Sequence, residues 1–227
     1  MELKFIELVG LPGCGKSTLV KSMMETLSKD EKVVVLDRKS FSSIINFMWK
    51  NRWSIPFIAV YKLLFSCHLK LKMSLIRYIY QYDVNSLSII YAIYIVDIYS
   101  FVKKNNYKNM IILLDEGIIQ FLSSIAHNIK IENNSDMLGL YSSLRDLTEN
   151  SVYVRCNIPL DIAVQRIKIR NRNDRFAYSD TLTGLLKVKQ DNINYLLEIC
   201  TSKSCIVELD MTKSTEYNKE TILKKIL

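Results

Sequence analysis

The sequence predicts an α/β fold, a three-layer α/β/α arrangement around a mainly parallel five-stranded sheet. Short apolar runs rich in β-branched residues alternate with longer segments of helical character along the whole chain, which is typical of parallel strands joined by crossover helices. A glycine-rich segment lies between the first apolar run and the first helix. The 227 residues suffice for one domain, 1–227, with a well-buried core. The five predicted strands are Lys4–Val9, Lys32–Leu36, Met110–Leu114, Ser151–Cys156 and Cys205–Leu209.

The glycine-rich segment fits the pattern G-x-x-x-x-G-K-[ST], the phosphate-binding P-loop. Glycines are needed there because backbone N–H groups close around phosphate oxygens with no Cβ in the way. Lys16 is expected to reach the β- and γ-phosphates, and the hydroxyl of Ser17 to hold Mg²⁺. The sequence therefore predicts a P-loop NTPase fold with ATP and Mg²⁺ as cofactors, although it does not decide between adenine and guanine. The predicted nucleotide-binding residues are Gly10, Pro12, Gly13, Cys14, Gly15, Lys16, Ser17 and Thr18.

A carboxylate directly follows the second predicted strand, Asp37, and another follows the third, Asp115. Ligands of open α/β sheets gather at the carboxyl ends of the strands, so both acids are placed near the chemistry. Asp115 is expected to support Mg²⁺, acting through water. The alternative for Asp115 is an ordinary helix-capping acid.

Five cysteines and two histidines are scattered without metal-ligand spacing, so we expect no zinc site, no disulfide framework and a reducing, cytoplasmic location. Cys14 stands apart by its position at the mouth of an anion site. Ionisation of its thiol would be favoured there and modification would block nucleotide binding, whereas the alternative is a small residue that simply fits. We expect no signal peptide, because Met1 to Lys4 lead directly into the first strand. The most membrane-like window, Val84 to Val102, contains Asp97 and is expected to be a buried helix.

The segment 41–105 is predicted to hold several helices, which would bind the acceptor or form a homodimer face. The formal charge of +8 is concentrated here, because no Asp or Glu occurs from Arg38 to Tyr82. Such a basic, aromatic stretch could face an anionic small molecule, a nucleic acid or an acidic membrane surface, or be a solvated helix face. Its basic residues are Arg38, Lys39, Lys50, Arg52, Lys62, Lys70, Lys72 and Arg77.

Four arginines follow the fourth strand within ten residues, Arg166, Arg170, Arg172 and Arg175. Arg166 and Arg170 are one helical turn apart and share a face. Arginine offers several fixed donors and stays charged, so we expect residues 160–180 to form a mobile basic lid that closes over phosphates. The alternative is a basic helix end that complements the helix dipole.

In their order along the chain, these motifs resemble the nucleoside and nucleotide kinases of the P-loop group, most closely those similar to thymidylate kinase. The resemblance covers nearly the full length. It rests on Gly10 to Thr18, on Asp115 followed by Phe121 to Ala126, on the arginine segment, and on Ile206 to Asp210 before a polar loop and a final helix at Glu220–Leu227. It implies that Asp210 to Ser214 would pack against the nucleotide base.

Two positions depart from the thymidylate kinase pattern. Glu116 stands where that family has an arginine for the acceptor's phosphate, and Asp37-Arg38 replaces its Arg-Glu-Pro-Gly sequence. A second glutamate would repel an incoming phosphate, whereas a hydroxyl acceptor benefits from a carboxylate that takes its proton. Asp37 is therefore the predicted base, and an alcohol acceptor is favoured, as in nucleoside kinases or small sugar kinases.

The predicted reaction is in-line transfer of the γ-phosphoryl group of MgATP to a small, anionic acceptor resembling a nucleoside or nucleotide. The alternatives are a kinase for a sugar or sugar-phosphate hydroxyl, including a membrane- or glycan-linked one, a nucleic-acid end kinase, and a P-loop NTPase that is not a kinase. Neither Asn-Lys-x-Asp nor Leu-Ser-Gly-Gly-Gln occurs, which disfavours a GTPase switch and a transporter cassette. The predicted catalytic residues are Lys16, Asp37, Arg166, Arg170 and Arg172, and the predicted metal ligands are Ser17 and Asp115.

Overall fold

The computed structural model describes residues 4–27, 33–36, 69–82, 86–105, 111–126, 130–131, 139–140, 142–145, 151–170, 181–200 and 205–226. The strands are β1 (Lys4–Gly10), β2 (Val33–Leu36), β3 (Ile111–Leu114), β4 (Ser151–Asn157) and β5 (Cys205–Asp210). The helices with defined bounds are α1 (Lys16–Leu27), α2 (Leu69–Tyr82), α3 (Ser86–Asn105), α4 (Ile118–Ile125), α5 (Leu160–Ile169), α6 (Leu182–Cys200) and α7 (Thr215–Ile226).

The five strands form one sheet in the order β2-β3-β1-β4-β5, with every neighbouring pair parallel. This confirms the predicted α/β fold. β1 lies in the middle, paired with β3 on one side and with β4 on the other. The chain order therefore reverses at β1, and such a switch point is where open α/β sheets bind ligands beyond the carboxyl ends of their strands. The loop that follows β1 is the glycine-rich segment.

Alternating side chains on β1 face two separate hydrophobic cores, which makes the fold three-layered. Phe5 and Val9 face a core covered by α2, α3 and α4. Ile6 and Leu8 face the opposite core, covered by α1, α5 and α7. Helix α6 contributes to both. The sheet is thus buried on both faces, as the continuous apolar runs of its strands predict.

The final helix begins five residues earlier than the predicted Glu220, at Thr215. The hydroxyl oxygen of Ser214 accepts a hydrogen bond from the Tyr217 N–H at 3.2 Å, the arrangement of an N-cap. The side-chain amide of Asn218, 1 % exposed, donates to the Asp210 carbonyl at 3.0 Å and ties the first turn to the end of β5. The prediction was wrong because a polar first turn was taken for a loop.

Part of the basic stretch belongs to the core. In α2 the Lys72 side chain is only 3 % exposed, and the buried hydroxyl of Tyr78 donates to the Leu122 carbonyl of α4 at 3.0 Å. Lys70 and Arg77 on the same helix are exposed. Residues 38–68 of the stretch lie outside the described residues. Helix α3, predicted to be buried, has most of its described side chains in the core, and none of the helices in the described ranges is long and apolar enough to cross a membrane.

Candidate active site

The glycine-rich loop turns sharply between β1 and α1. Gly13 and Gly15 have φ angles of 82° and 104°, in the left-handed region that side-chain-bearing residues rarely adopt. The Cys14 N–H donates to the Leu11 carbonyl at 3.3 Å and closes the turn between them. Gly10 is required for a different reason, since a Cβ there would lie 2.7 Å from the Cys156 carbonyl oxygen of β4. The sequence pattern and the backbone thus agree on a tight loop.

Lys16, the first residue of α1, has its ammonium group inside this loop. Its Nζ donates to the carbonyl oxygens of Gly10 at 2.7 Å and Leu11 at 3.1 Å, and the residue is 7 % exposed. Desolvation lowers the pKa of Lys16, but the attraction of the Cys14 sulfur and, after it, of Cys156, Glu116 and Asp115 outweighs that effect and raises the pKa above its ordinary value. The loop therefore carries a fixed positive charge.

Oxygen ligands suited to Mg²⁺ lie beside Lys16. Asp115 directly follows β3, is partly buried, and is close enough for its charge to raise the lysine pKa. Ser17, the next residue of α1, is exposed. One carboxylate and one hydroxyl are a donor set that fits Mg²⁺, which takes its other ligands from phosphates and water. The role of Ser17 and Asp115 as Mg²⁺ ligands stays a prediction.

Arg166 of α5 joins the glycine-rich loop to the segment after β5. Its guanidinium donates through Nη1 to the Cys14 carbonyl at 3.2 Å and through Nη2 to the Met211 carbonyl at 3.4 Å. Met211 is 8 % exposed, and its Cε lies 3.4 Å from where a Cβ of Gly15 would be. The segment that follows β5 is therefore in contact with the loop, and a second cation stands at the loop's edge.

Of the other predicted catalytic residues, the structure describes Arg170 but not Asp37 or Arg172. Arg170 is exposed at the end of α5, one turn beyond Arg166. Asp37 and Arg172 lie outside the described residues, as do residues 171–180 of the predicted lid. Residues 160–169 of that lid are a helix packed on the second core through Ala163 and Ile167. The mobile basic lid and the roles of Asp37, Arg170 and Arg172 stay predictions.

Sequence reasoning missed a buried connection between the loop and α4. The Glu7 carboxylate on β1 accepts backbone hydrogen bonds from the start of α4, including the Gln120 N–H at 3.0 Å. The Gln120 side-chain oxygen in turn accepts from the Gly10 N–H at 3.2 Å. Gly117 leaves room for the carboxylate, because a Cβ there would lie 2.4 Å from Glu7 Cδ. The only signal in the sequence was a charged residue within an apolar strand.

Replacing Glu7 with glutamine is expected to remove a pH dependence of stability. Burial raises the pKa of Glu7 to about 8, against the smaller lowering effect of its backbone hydrogen bonds. Between its ordinary pKa of 4.5 and about 8, the folded state binds a proton that the unfolded state has released. The free energy of unfolding therefore falls as pH rises through this window. Thermal melts of the wild type from pH 5 to pH 9 should show this fall, and melts of Glu7→Gln should show a smaller one; parallel curves would contradict the assignment.

The comparisons with known proteins give a fold but no sequence family. No family model matches the chain, and no curated protein matches it. Solved structures of the deoxyadenosine kinase of M. mycoides do match it, each over 98% of both chains. The structure with the products dCMP and dCDP superposes with a TM-score of 0.57 at 12% identity. The structure with dCTP superposes with a TM-score of 0.55 at 14% identity, and the structure with dATP with a TM-score of 0.52 at 15% identity. The chain thus has the fold of these P-loop nucleoside kinases.

Proposed function

We propose that the chain is an ATP-dependent kinase that transfers the γ-phosphoryl group to the hydroxyl of a nucleoside or nucleotide-like acceptor. The observation that carries the proposal is the meeting of two cations on the glycine-rich loop. Lys16 Nζ lies within the loop, and Arg166 donates to the Cys14 carbonyl at its edge. Both stand at the switch point of the parallel sheet. Phosphoryl transfer requires chiefly positioned positive charge, which this arrangement supplies.

Each described residue has a definite task in this proposal. The N–H groups of the loop and the start of α1 bind the phosphates. Lys16 gives up its bonds to the loop carbonyls and neutralises the β- and γ-phosphates. Ser17 and Asp115 hold Mg²⁺, which supplies charge neutralisation on the phosphate oxygens. Arg166 keeps the loop and the segment after β5 in contact, so that the base can pack against Asp210 to Ser214 while the phosphates occupy the loop.

The hydroxyl acceptor is supported from two directions. Leu36 of β2 is paired with Leu114 of β3, so these two strands end at the same edge of the sheet, and in the sequence Asp37 and Asp115 are the next residues after them. A carboxylate at that edge suits removal of a hydroxyl proton. In addition, the solved structures that share the fold are of a deoxyadenosine kinase with nucleotides bound. These observations favour a nucleoside kinase over a thymidylate kinase-like enzyme.

The test is mass-spectrometric detection of phosphorylated product after incubation with MgATP and a mixed panel of acceptors. The panel contains nucleosides, nucleoside monophosphates, sugars, sugar phosphates and oligonucleotides. A phosphorylated nucleoside is the expected product. If only monophosphates, sugars or oligonucleotide ends are phosphorylated, the proposed acceptor class is wrong. If ATP is consumed without any phosphorylated acceptor, the protein is a P-loop NTPase that is not a kinase.

Replacing Arg166 with alanine is expected to lower kcat/KM for ATP by roughly 100-fold, the effect typical of removing one positioned electrostatic donor. The variant loses both the loop contact and the Met211 contact. Steady-state kinetics at varied ATP concentration measures the effect. Lys168→Ala is the matched control, because Lys168 is an exposed cation on the same helix. Equal effects of the two replacements would mean that only the net charge of α5 matters.

Replacing Asp37 with asparagine is expected to lower turnover by roughly 100-fold or more while ATP affinity is kept, because the variant cannot take the acceptor's proton. Turnover is measured with the acceptor identified in the panel, and ATP affinity by calorimetry. A loss of ATP binding would instead make Asp37 a structural or metal-binding residue.

A further inference from the structure

Two cysteines distant in sequence meet beneath the glycine-rich loop. Cys14 lies in the loop itself, between Gly13 and Gly15. Cys156 lies near the end of β4, directly opposite Gly10 in the register of β1 and β4. A Cβ on Gly10 would lie 3.2 Å from Cys14 Sγ and 3.0 Å from Cys156 Cβ. The missing side chain of Gly10 thus leaves the space in which the two cysteine side chains come together.

The two thiols are in direct contact and enclosed by protein. The Cys14 and Cys156 side chains are hydrogen-bonded to each other, and they are 1 % and 3 % exposed. Neither forms a disulfide here. Packing alone does not require two thiols at these positions, because other small side chains would fill the same space. A thiol pair in contact, within the loop that binds phosphate, has a chemical capability of its own.

The surroundings of the two cysteines give them different roles, with Cys14 as the nucleophile and Cys156 as the proton carrier. The hydrogen bond from Cys156, followed by the nearby charge and hydrogen bonds of Lys16, lowers the pKa of Cys14. Lys16 Nζ is 3.7 Å from Cys14 Sγ. The same hydrogen bond raises the pKa of Cys156, whose Sγ also points to the Val154 carbonyl at 3.7 Å. Thiolates beside a fixed cation are the reactive form of cysteine.

We propose that Cys14 and Cys156 are a redox modification site, oxidised by a hydroperoxide to a reversible disulfide that switches off phosphate binding by the loop. The Cys14 thiolate attacks one peroxide oxygen, the O–O bond breaks, and a sulfenic acid and hydroxide are formed. The sulfur of Cys156 then attacks the sulfenic sulfur. The S–S bond forms, the S–O bond breaks, and the departing oxygen leaves as water with the Cys156 proton. Two electrons pass from the sulfurs to the peroxide, and a dithiol reductant reverses the change.

The disulfide constrains the backbone of the loop. Disulfide geometry holds the two Cβ atoms about 3.8 Å apart, which fixes Cys14 against β4. The Cys14 N–H can then no longer move with the loop when phosphate binds. We expect the affinity for MgATP to fall at least 10-fold on oxidation and to return on reduction.

The experiment oxidises the purified protein with hydrogen peroxide, blocks the remaining thiols with N-ethylmaleimide, and maps linked peptides by mass spectrometry. Calorimetry with MgATP is carried out before oxidation, after it, and after dithiothreitol treatment. Cys156→Ser is the test variant, and Cys205→Ser is the control because Cys205 is exposed. Thermal melts confirm that the variants fold, and Cys156→Ala replaces Cys156→Ser if the latter does not.

The expected result is a peptide linking Cys14 to Cys156 in the wild type and in Cys205→Ser, with a reversible loss of MgATP affinity in both. Cys156→Ser should keep its affinity after the same treatment. The proposal is overturned if no such peptide forms when Cys205 is already oxidised, or if oxidised Cys156→Ser loses affinity as the wild type does. The proposed loss of MgATP affinity rests on the proposed function, whereas detection of the linked peptide does not depend on nucleotide binding. Failure of the reduced protein to bind MgATP would therefore count against the proposed function alone, and absence of the linked peptide against the thiol pair alone.

Discussion

Replacing Lys16 with alanine is expected to lower turnover by roughly 100-fold or more, because it removes the positive charge inside the glycine-rich loop. The ammonium group is enclosed by the loop, bonded to two of its carbonyls, and kept charged by neighbouring anions. A charge fixed in a water-poor site stabilises developing phosphate charge far more than one in solvent. The measurement is the initial rate of product formation at saturating MgATP.

The control for this variant is Lys21→Ala, which removes an exposed lysine from the same helix. Its rate should stay within a few-fold of the wild type, since surface charges are screened by salt. A second variant, Lys16→Met, keeps the length of the buried side chain and separates lost charge from lost packing. Full activity of either Lys16 variant would contradict the role of this residue in phosphate binding.

Replacing Gly117 with alanine is expected to destabilise the fold by about 1–3 kcal/mol, the cost typical of overpacking a core. The new Cβ would lie 2.4 Å from Cδ and 2.6 Å from Oε2 of Glu7, so the carboxylate must move. It cannot do so without losing its hydrogen bond to the Gln120 N–H. For a chain of this size we expect the Tm to fall by about 2–4 °C per kcal/mol. Calorimetric melts at fixed pH give the value.

A second glycine, Gly184, is the control for Gly117, because its replacement by alanine is not expected to destabilise the fold. Gly184, near the start of α6, has nothing within 4 Å of its ideal Cβ position. Gly184→Ala should be neutral or stabilising by up to about 1 kcal/mol, because alanine is the better helix former. In a Glu7→Ala background the clash disappears, so Gly117→Ala should cost almost nothing there. Equal costs in both backgrounds would mean that Glu7 is not what excludes a side chain at Gly117.

The fold could be predicted because its signals are local. The apolar runs marked all five strands to within one residue at each end, and the positive φ angles of Gly13 and Gly15 are what the glycine pattern requires. The start of α7 was mispredicted, because the Ser214 cap and the Asn218 contact with β5 outweigh the polar character of its first turn. Local polarity indicates exposure, and an exposed segment can be a helix as well as a loop.

The candidate site could be predicted only in part. Lys16 and Asp115 lie close together as the motifs suggest, because each follows a strand of the same parallel sheet. The partners of Arg166 could not be read from its sequence position. The arginine pattern suggested a residue on a mobile lid, whereas its contacts with Cys14 and Met211 depend on how α5 and β5 pack beside the loop.

The sequence by itself determined the parallel α/β architecture, the place of the glycine-rich loop within it, and the identity of the cation inside that loop. Backbone conformation and the spacing of apolar side chains depend on neighbouring residues, so they can be predicted from short stretches of the sequence. Only the tertiary structure decided that Glu7 binds α4, that Arg166 joins two loops, and that Cys14 meets Cys156. Glu7 and Gln120 are 113 residues apart, and Arg166 and Cys14 are 152 apart. Such contacts arise from the order of the strands and the packing of helices on both faces, which no local pattern records.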